Sequence, residues 1–269
     1  MFPPESGKYI HNELVEMDDF LNIGKGNVIM ACHMTGIYDV NRNTVLPDDA
    51  YALIKDWADS IIDLNLKGIV FHNNFSDQTC AEIQGQHIQF IKVNHDTRFT
   101  PNVYRYFLYR DFIQQHFDEL LNVFVTDITD VVVLKDPFQE PIFTGNPQAI
   151  FCGDEPKPLL DDWMLLHAAH LRSKISDYQG YEEEFKEATL LNCGIIGGNV
   201  QVMQLFLSQL CSLHEKYNSD NKTAYTGDMG AFNYLVRTEF NDRVIHGTPV
   251  NTVFKEYEAE RKDCWFRHK

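Results

Sequence analysis

The stretch "FVTDITDVVVLKDPF", residues 124–138, decides how the chain is read. It opens as an apolar run of strand character, places Asp127 and Asp130 three residues apart, resumes with a second apolar run and closes on Asp136-Pro137-Phe138. Desolvating a carboxylate costs several kcal/mol unless it is paired or bound to a metal. The two aspartates are therefore expected where a strand leaves the core, at its C-terminal edge.

The pattern on either side of this stretch alternates. Upstream, "NVIMACHM" (27–34) reads as a strand running into the loop "TGIYDVNRN". A helix follows Pro47, with Ala50, Leu53, Ile54, Trp57, Ala58, Ile61 and Ile62 on one face. "KGIVFHNN" and "HIQFIKV" read as strands, and "TPNVYRYFLYRDFIQQHF" (100–117) as a helix with Thr100 as N-cap and Pro101 at its first position. "LLNVFVT" then delivers Asp127. Downstream, "NPQAIFCGDE" and "TLLNCGIIGG" predict strands, "LLDDWMLLHAAHLRS" a helix, and Met203, Phe206, Leu207, Leu210, Leu213 and Tyr217 mark one face of another. "GDMGAFNYLVRTEF" predicts a last helix and "DRVIHG" a short strand. Strand–helix alternation of this kind implies an α/β chain with a mixed, mainly parallel sheet flanked by helices. Without repeats or linkers, one domain over 27–269 is expected, preceded by a polar N-terminal arm over 1–26.

Composition narrows the partners. The 269 residues are 44% hydrophobic, enough for a sizeable core, and 39 acidic against 23 basic residues give a net charge of −16. Such a balance argues against binding to a nucleic-acid polymer, which needs a basic face. An anionic small ligand would have to be held by a few placed Arg and Lys, by backbone N–H groups or by a divalent cation. No run approaches about 18 apolar residues, so no transmembrane segment is expected, and the N-terminus does not read as a signal peptide. The six cysteines are scattered without a CxxC pair, which favours free thiols in a reducing, cytoplasmic setting.

Five constellations have both a structural and a chemical reading. Asp127 and Asp130 suit a hard cation such as Mg²⁺ or Mn²⁺ held with substrate phosphates, or form a solvated turn. In "LLNCGIIGGN" (190–199), Asn192 and the glycines either admit a ligand or make a strand-to-helix turn. Asp228 falls in the first turn of a helix, as a capping residue or as a site carboxylate. Arg42 and Arg105 are surface charges or diphosphate clamps. His268, in "CWFRHK", is either a ligand or part of a disordered end.

In combination these segments resemble the GT-A fold nucleotide-diphospho-sugar glycosyltransferases, in particular a group found in large DNA viruses and assorted bacteria that includes the enzyme glycosylating the chlorovirus capsid protein. "FVTDITDVVVLKDPF" resembles the DxD segment, "MTGIYDVNRN" the nucleotide-binding loop, "TPNVYRYFLY" the helix whose Arg supports the site, "LLNCGIIGGN" an NxGxxGG acceptor-side motif and "GDMGAFNYL" a later Asp-bearing helix. The resemblance implies a single GT-A, Rossmann-like domain and transfer of a sugar from a UDP-sugar donor to a glycan or glycoconjugate hydroxyl, with Mn²⁺ or Mg²⁺ as cofactor. It implies Asp130, Asp127 and His268 as metal ligands. It places Thr35, Gly36, Tyr38, Arg42, Arg105, Asp127, Gly197, Gly198 and Lys269 against the nucleotide-sugar. It gives Asp228, Glu155 and Asn192 the catalytic positions, Asp228 being the first choice of base if the reaction inverts. The sequence departs from the pattern in having DxxD for DxD, and the C-terminal segment is expected to be ordered by the metal.

Two other classes compete. A non-catalytic binding or assembly module of the same fold would accommodate the altered DxxD. A phosphatase would want DxDx[TV], which "DITDV" does not give, and a nucleotidyltransferase a basic glycine-rich loop near the N-terminus that "TGIYDVNRN" only faintly suggests.

Overall fold

A computed structural model of the chain describes residues 26–39, 44–46, 51–96, 98–219 and 227–269. The predicted arm, except Gly26, and Arg42 lie outside them. In chain order the strands are β1 (Gly26–His33), β2 (Tyr38–Asp39), β3 (Thr44–Val45), β4 (Gly68–His72), β5 (Ile88–Lys92), β6 (Leu120–Thr126), β7 (Val131–Val133), β8 (Ile150–Pro158), β9 (Thr189–Asn199), β10 (Val244–His246) and β11 (Phe266–His268). Seven of them form one sheet in the order β10-β8-β9-β6-β1-β4-β5. Every neighbouring pair is parallel except those of β9, which runs against both β6 and β8. This is the α/β, Rossmann-like architecture that the strand–helix alternation implies.

The sheet is apolar on both faces, as a sheet covered on both sides must be. Val28, Met30, Val123 and Val125 point to one face, where they join the core shared with the helices Pro101–Gln115, Val200–Tyr217 and Asp228–Glu239. Ile29, Ala31 and Phe124, one residue out of phase, point to the other and pack with Trp57 of the helix Lys55–Asp63 and with Trp265. The period of two in the strands thus feeds two separate cores.

Several local expectations are refined. Thr100 occupies the N-cap position, but its hydroxyl makes no cap hydrogen bond to the helix. Leu53 and Ile62, assigned to the apolar face of their helix, are about two-fifths exposed at 38% and 40%. The helix expected over 159–173 is two, Asp162–His167 and Ala169–Lys174, and at the break the Leu165 carbonyl accepts from Arg172 Nη1 at 3.1 Å. The DPF turn forms as read, with Asp136 Oδ1 accepting from the Phe138 N–H at 2.9 Å. Among the described residues, no helix is long and apolar enough to cross a membrane.

Strand order determines where a ligand can sit. From β1 the chain steps outward to β4 and β5, then returns to β6 on the other side of β1. The connections leaving the C-terminal ends of β1 and β6 therefore diverge, and open a crevice at the carboxyl edge of the sheet.

Candidate functional site

A cavity of about 590 Å³ occupies that crevice, within the size range of small-molecule sites. Asp127 follows the last residue of β6, and its N–H donates to the Gly194 carbonyl of β9 at 2.7 Å. The turn after it carries Asp130 into β7. The chain end then supplies the third group: β11 pairs antiparallel with β7, matching His268 to Val131, and the Lys269 N–H donates to the Asp130 carbonyl at 2.8 Å. Carboxylate oxygens of Asp127 and Asp130 and a ring nitrogen of His268 all lie within 4.8 Å of one another.

Two oxygen donors and an imidazole make a donor set suited to Mn²⁺, and the surroundings fit a cation. A Cβ on Gly194 would lie 2.5 Å from His268 Cε1 and 2.7 Å from Asp127 Oδ2, so only glycine leaves this space open. His268 is 2% exposed, and its Nδ1 has no hydrogen-bond partner. Burial pushes its imidazole down to about 4 and so favours the neutral, lone-pair-donating ring, with Asp127 partly opposing the shift. The ordering of this segment differs from the expectation that the metal would supply it. The β7 pairing, burial of Trp265 and Phe266, and hydrogen bonds to Val250 and Thr252 hold it.

Arg105, on the helix before β6, enters the cavity beside Asp127 and forms an ion pair with its Oδ1. Its Nη2 lies 4.0 Å from Asp228 Oδ2, and the guanidinium packs over the Tyr106 ring at 5.0 Å. Burial opposes its charge, but Asp127 together with Tyr106, Cys193 and Tyr109 outweighs this and holds the group well above its ordinary range. Asp228 begins the helix Asp228–Glu239, is 5% exposed, and accepts from His167 Nε2 at 2.9 Å through Oδ1. It is thus a cleft carboxylate, with Gly227 in the capping position. Glu155 on β8 is 8% exposed and accepts from Asn192 Nδ2 at 2.8 Å. Asn192 lines the cavity with its amide engaged at both ends, since Oδ1 accepts from the Gly194 N–H at 2.7 Å. Its place is to position Glu155 and Gly194.

Other expectations are corrected. Gly197 and Gly198 do not line the cavity. They pair with Phe124 and Val123 in the body of the sheet, roughly 10 Å down β9 from the edge at about 3.3 Å per residue. Their glycine requirement is one of packing, for a Cβ on Gly197 would lie 2.2 Å from Phe124 Cδ1 and one on Gly198 2.9 Å from the Ala149 carbonyl. Thr35 and Gly36 also stand back from it. Thr35 is tied through its backbone to Asn73, and Gly36 turns the loop with φ +69°. Tyr38, Ile37 and Met34 line the cavity in their place, Tyr38 being 51% exposed. Lys269 lines it too, with its ammonium on Asp56 at 2.7 Å.

The sequence reading passed over Lys157, Trp163, His167 and Phe254, which also form cavity wall. A signal existed for two of them: Trp163 and His167 are four apart in one helix, and their rings stack at 4.5 Å. The cleft's thiols are chemically quiet. Burial pushes Cys32 up to about 12 and Cys193 further, so neither offers a thiolate nucleophile.

No protein-family model matches the sequence, and no curated protein matches it.

Proposed function

We propose that the protein is a metal-dependent glycosyltransferase of the GT-A type, moving a sugar from a nucleoside-diphosphate donor, UDP-linked, to a hydroxyl of a glycan or glycoconjugate. The observation that carries this reading is the convergence of Asp127, Asp130 and His268 to within 4.8 Å at the switch point of the sheet. These three residues would hold Mn²⁺ or, less well, Mg²⁺; the bound cation would supply neutralisation of the charge that grows on the diphosphate leaving group. Around it the chain's own groups divide the work. Tyr38 and Ile37 offer the nucleotide a wall at the end of β1, and Arg105 keeps a permanent positive charge beside the diphosphate. Glu155 and Asp228 face the sugar as acceptors of hydroxyl hydrogens. His167 shares a hydrogen bond with Asp228, so a proton taken from the acceptor hydroxyl would be held by the pair rather than by a lone carboxylate. We also place the protein in the cytoplasm, a reading supported by six cysteines of which none forms a disulfide.

The Arg105–Asp127 ion pair favours a second reading, a binding or assembly module of the same fold, because it occupies one carboxylate oxygen that a cation would want. Calorimetry with UDP in the presence of Mn²⁺, Mg²⁺ or chelator separates the two. The transferase reading expects metal-dependent binding, and nucleotide-sugar hydrolysis that follows it. No heat with any nucleoside diphosphate under any metal condition would leave only the module.

A further inference from the structure

The cavity is electrically lopsided, and the imbalance bears on which sugars fit. On the β6–β7–β11 side stand Asp127, Asp130 and His268. On the β8–β9 side, past Gly194 and Asn192, stand Glu155 and Asp228, both more than nine-tenths buried. Asn192 Nδ2 fixes Glu155 at 2.8 Å with Lys157 3.3 Å from its other oxygen, and His167 Nε2 fixes Asp228 at 2.9 Å with Arg105 4.0 Å from its other oxygen, so both stand in the cavity wall as oriented carboxylates. The same cavity holds the Asp127–Asp130–His268 cluster, with His268 Nε2 3.9 Å from Asp127 Oδ2.

The cations nearest that side are already paired with carboxylates. Lys157 Nζ sits 2.9 Å from Asp161, 3.3 Å from Glu155 and 4.9 Å above the Trp163 ring. Arg105 bonds Asp127 and faces Asp228. Lys269 holds Asp56. Lys255 packs over Phe254, which itself packs on His268, at the metal end. A carboxylate arriving at the β8–β9 side would be desolvated beside Glu155 and Asp228 with no unengaged cation to receive it. A hydroxyl there would meet two fixed carboxylate acceptors and carry no charge of its own.

We infer that the glycosyl group this cleft accepts is uncharged, a sugar presenting hydroxyls, and that Glu155 and Asp228 exclude uronates and other anionic sugars. This deepens the proposed function and rests on it.

The test is calorimetry in Mn²⁺ with UDP, UDP-glucose and UDP-glucuronate as probes. UDP and UDP-glucose should bind within a few-fold of each other and UDP-glucuronate at least about tenfold more weakly. Glu155→Gln, which keeps the hydrogen bond from Asn192, should narrow that gap several-fold, and Asp228→Asn provides an independent second variant. Glucuronate binding within threefold of glucose overturns the inference while leaving the proposed function standing. A gap unchanged in both folded variants overturns the assignment to these two carboxylates. Failure of UDP itself to bind removes the proposed function and this inference with it.

Discussion

Asp127 and Asp130, three residues apart, have different duties. Asp127 neutralises Arg105, whose side chain is 11% exposed, whereas Asp130 anchors Lys269 through its backbone and leaves its carboxylate in the candidate metal cluster. Asp130→Ala should therefore weaken metal-dependent UDP binding by at least about 100-fold, with little change in melting temperature. Asp127→Ala should both lose binding and destabilise the fold by about 1–3 kcal/mol, because it strands a buried guanidinium that Asp228, at 4.0 Å, only partly satisfies. Urea melts beside calorimetry check both, and an Asp127→Ala protein as stable as the parent would show that Arg105 does not depend on it. Gly197→Ala makes the opposite case. The new methyl would run into Phe124, so a loss of about 1–3 kcal/mol or more is expected, with UDP affinity unchanged in whatever remains folded.

At the scale of elements, the β11–β7 pairing changes what a truncation means. The sequence suggested an end held by its metal, but Trp265 and Phe266 have no exposed surface and pack with Phe124. Deleting 265–269 removes two core rings, each worth about 3–5 kcal/mol on truncation, so the product should be unfolded or insoluble rather than merely weak in donor binding. His268→Ala spares both rings. It should keep a native circular dichroism spectrum yet lose most of the preference for Mn²⁺ over Mg²⁺ that an imidazole ligand confers. A truncated protein that melts like the parent would contradict the packing argument. The same element shows what was legible in the sequence. Long periodic runs such as 120–126 and 200–217 declared themselves through spacing, and the DxxD at a strand end marked the cleft. β11 did not, since three residues take strand form only through a partner far away in sequence. The helix Asp77–Ile83 was missed for a related reason. It buries none of its residues, and its one signal is Ser76, whose hydroxyl accepts from the Thr79 N–H. Gly197 and Gly198 look like ligand glycines in sequence because close packing and ligand approach demand the same missing side chain.

Over the whole molecule, stability depends on pH through groups deep in the core. Burial pushes His214 down to about 4, with Asp228 partly countering it, and its ring stacks on Tyr106 at 5.8 Å. The unfolded chain, with an ordinary imidazole near 6.5, binds more protons than the fold between those two values. Stability from this site is therefore complete above about pH 6.5 and declines as pH falls toward 4, by about 3 kcal/mol in all. Urea midpoints over that window should show the decline, and His214→Gln should remove its own share of it, since the equally depressed His268 contributes over the same window; an acid limb identical in the variant would assign it elsewhere. The cleft, too, is a property of the whole, because Asp127 and His268 meet across more than half of the chain, joined by a three-residue strand pair. Neither half of the molecule can possess the cluster alone. On the proposed function, metal-dependent ligand capture would be an all-or-none reporter of completed folding: in a denaturant titration it should vanish in step with tryptophan fluorescence, to which the buried Trp265 contributes, never outlasting it, and a refolding chain should stay blind to its ligand until the last crossing is made.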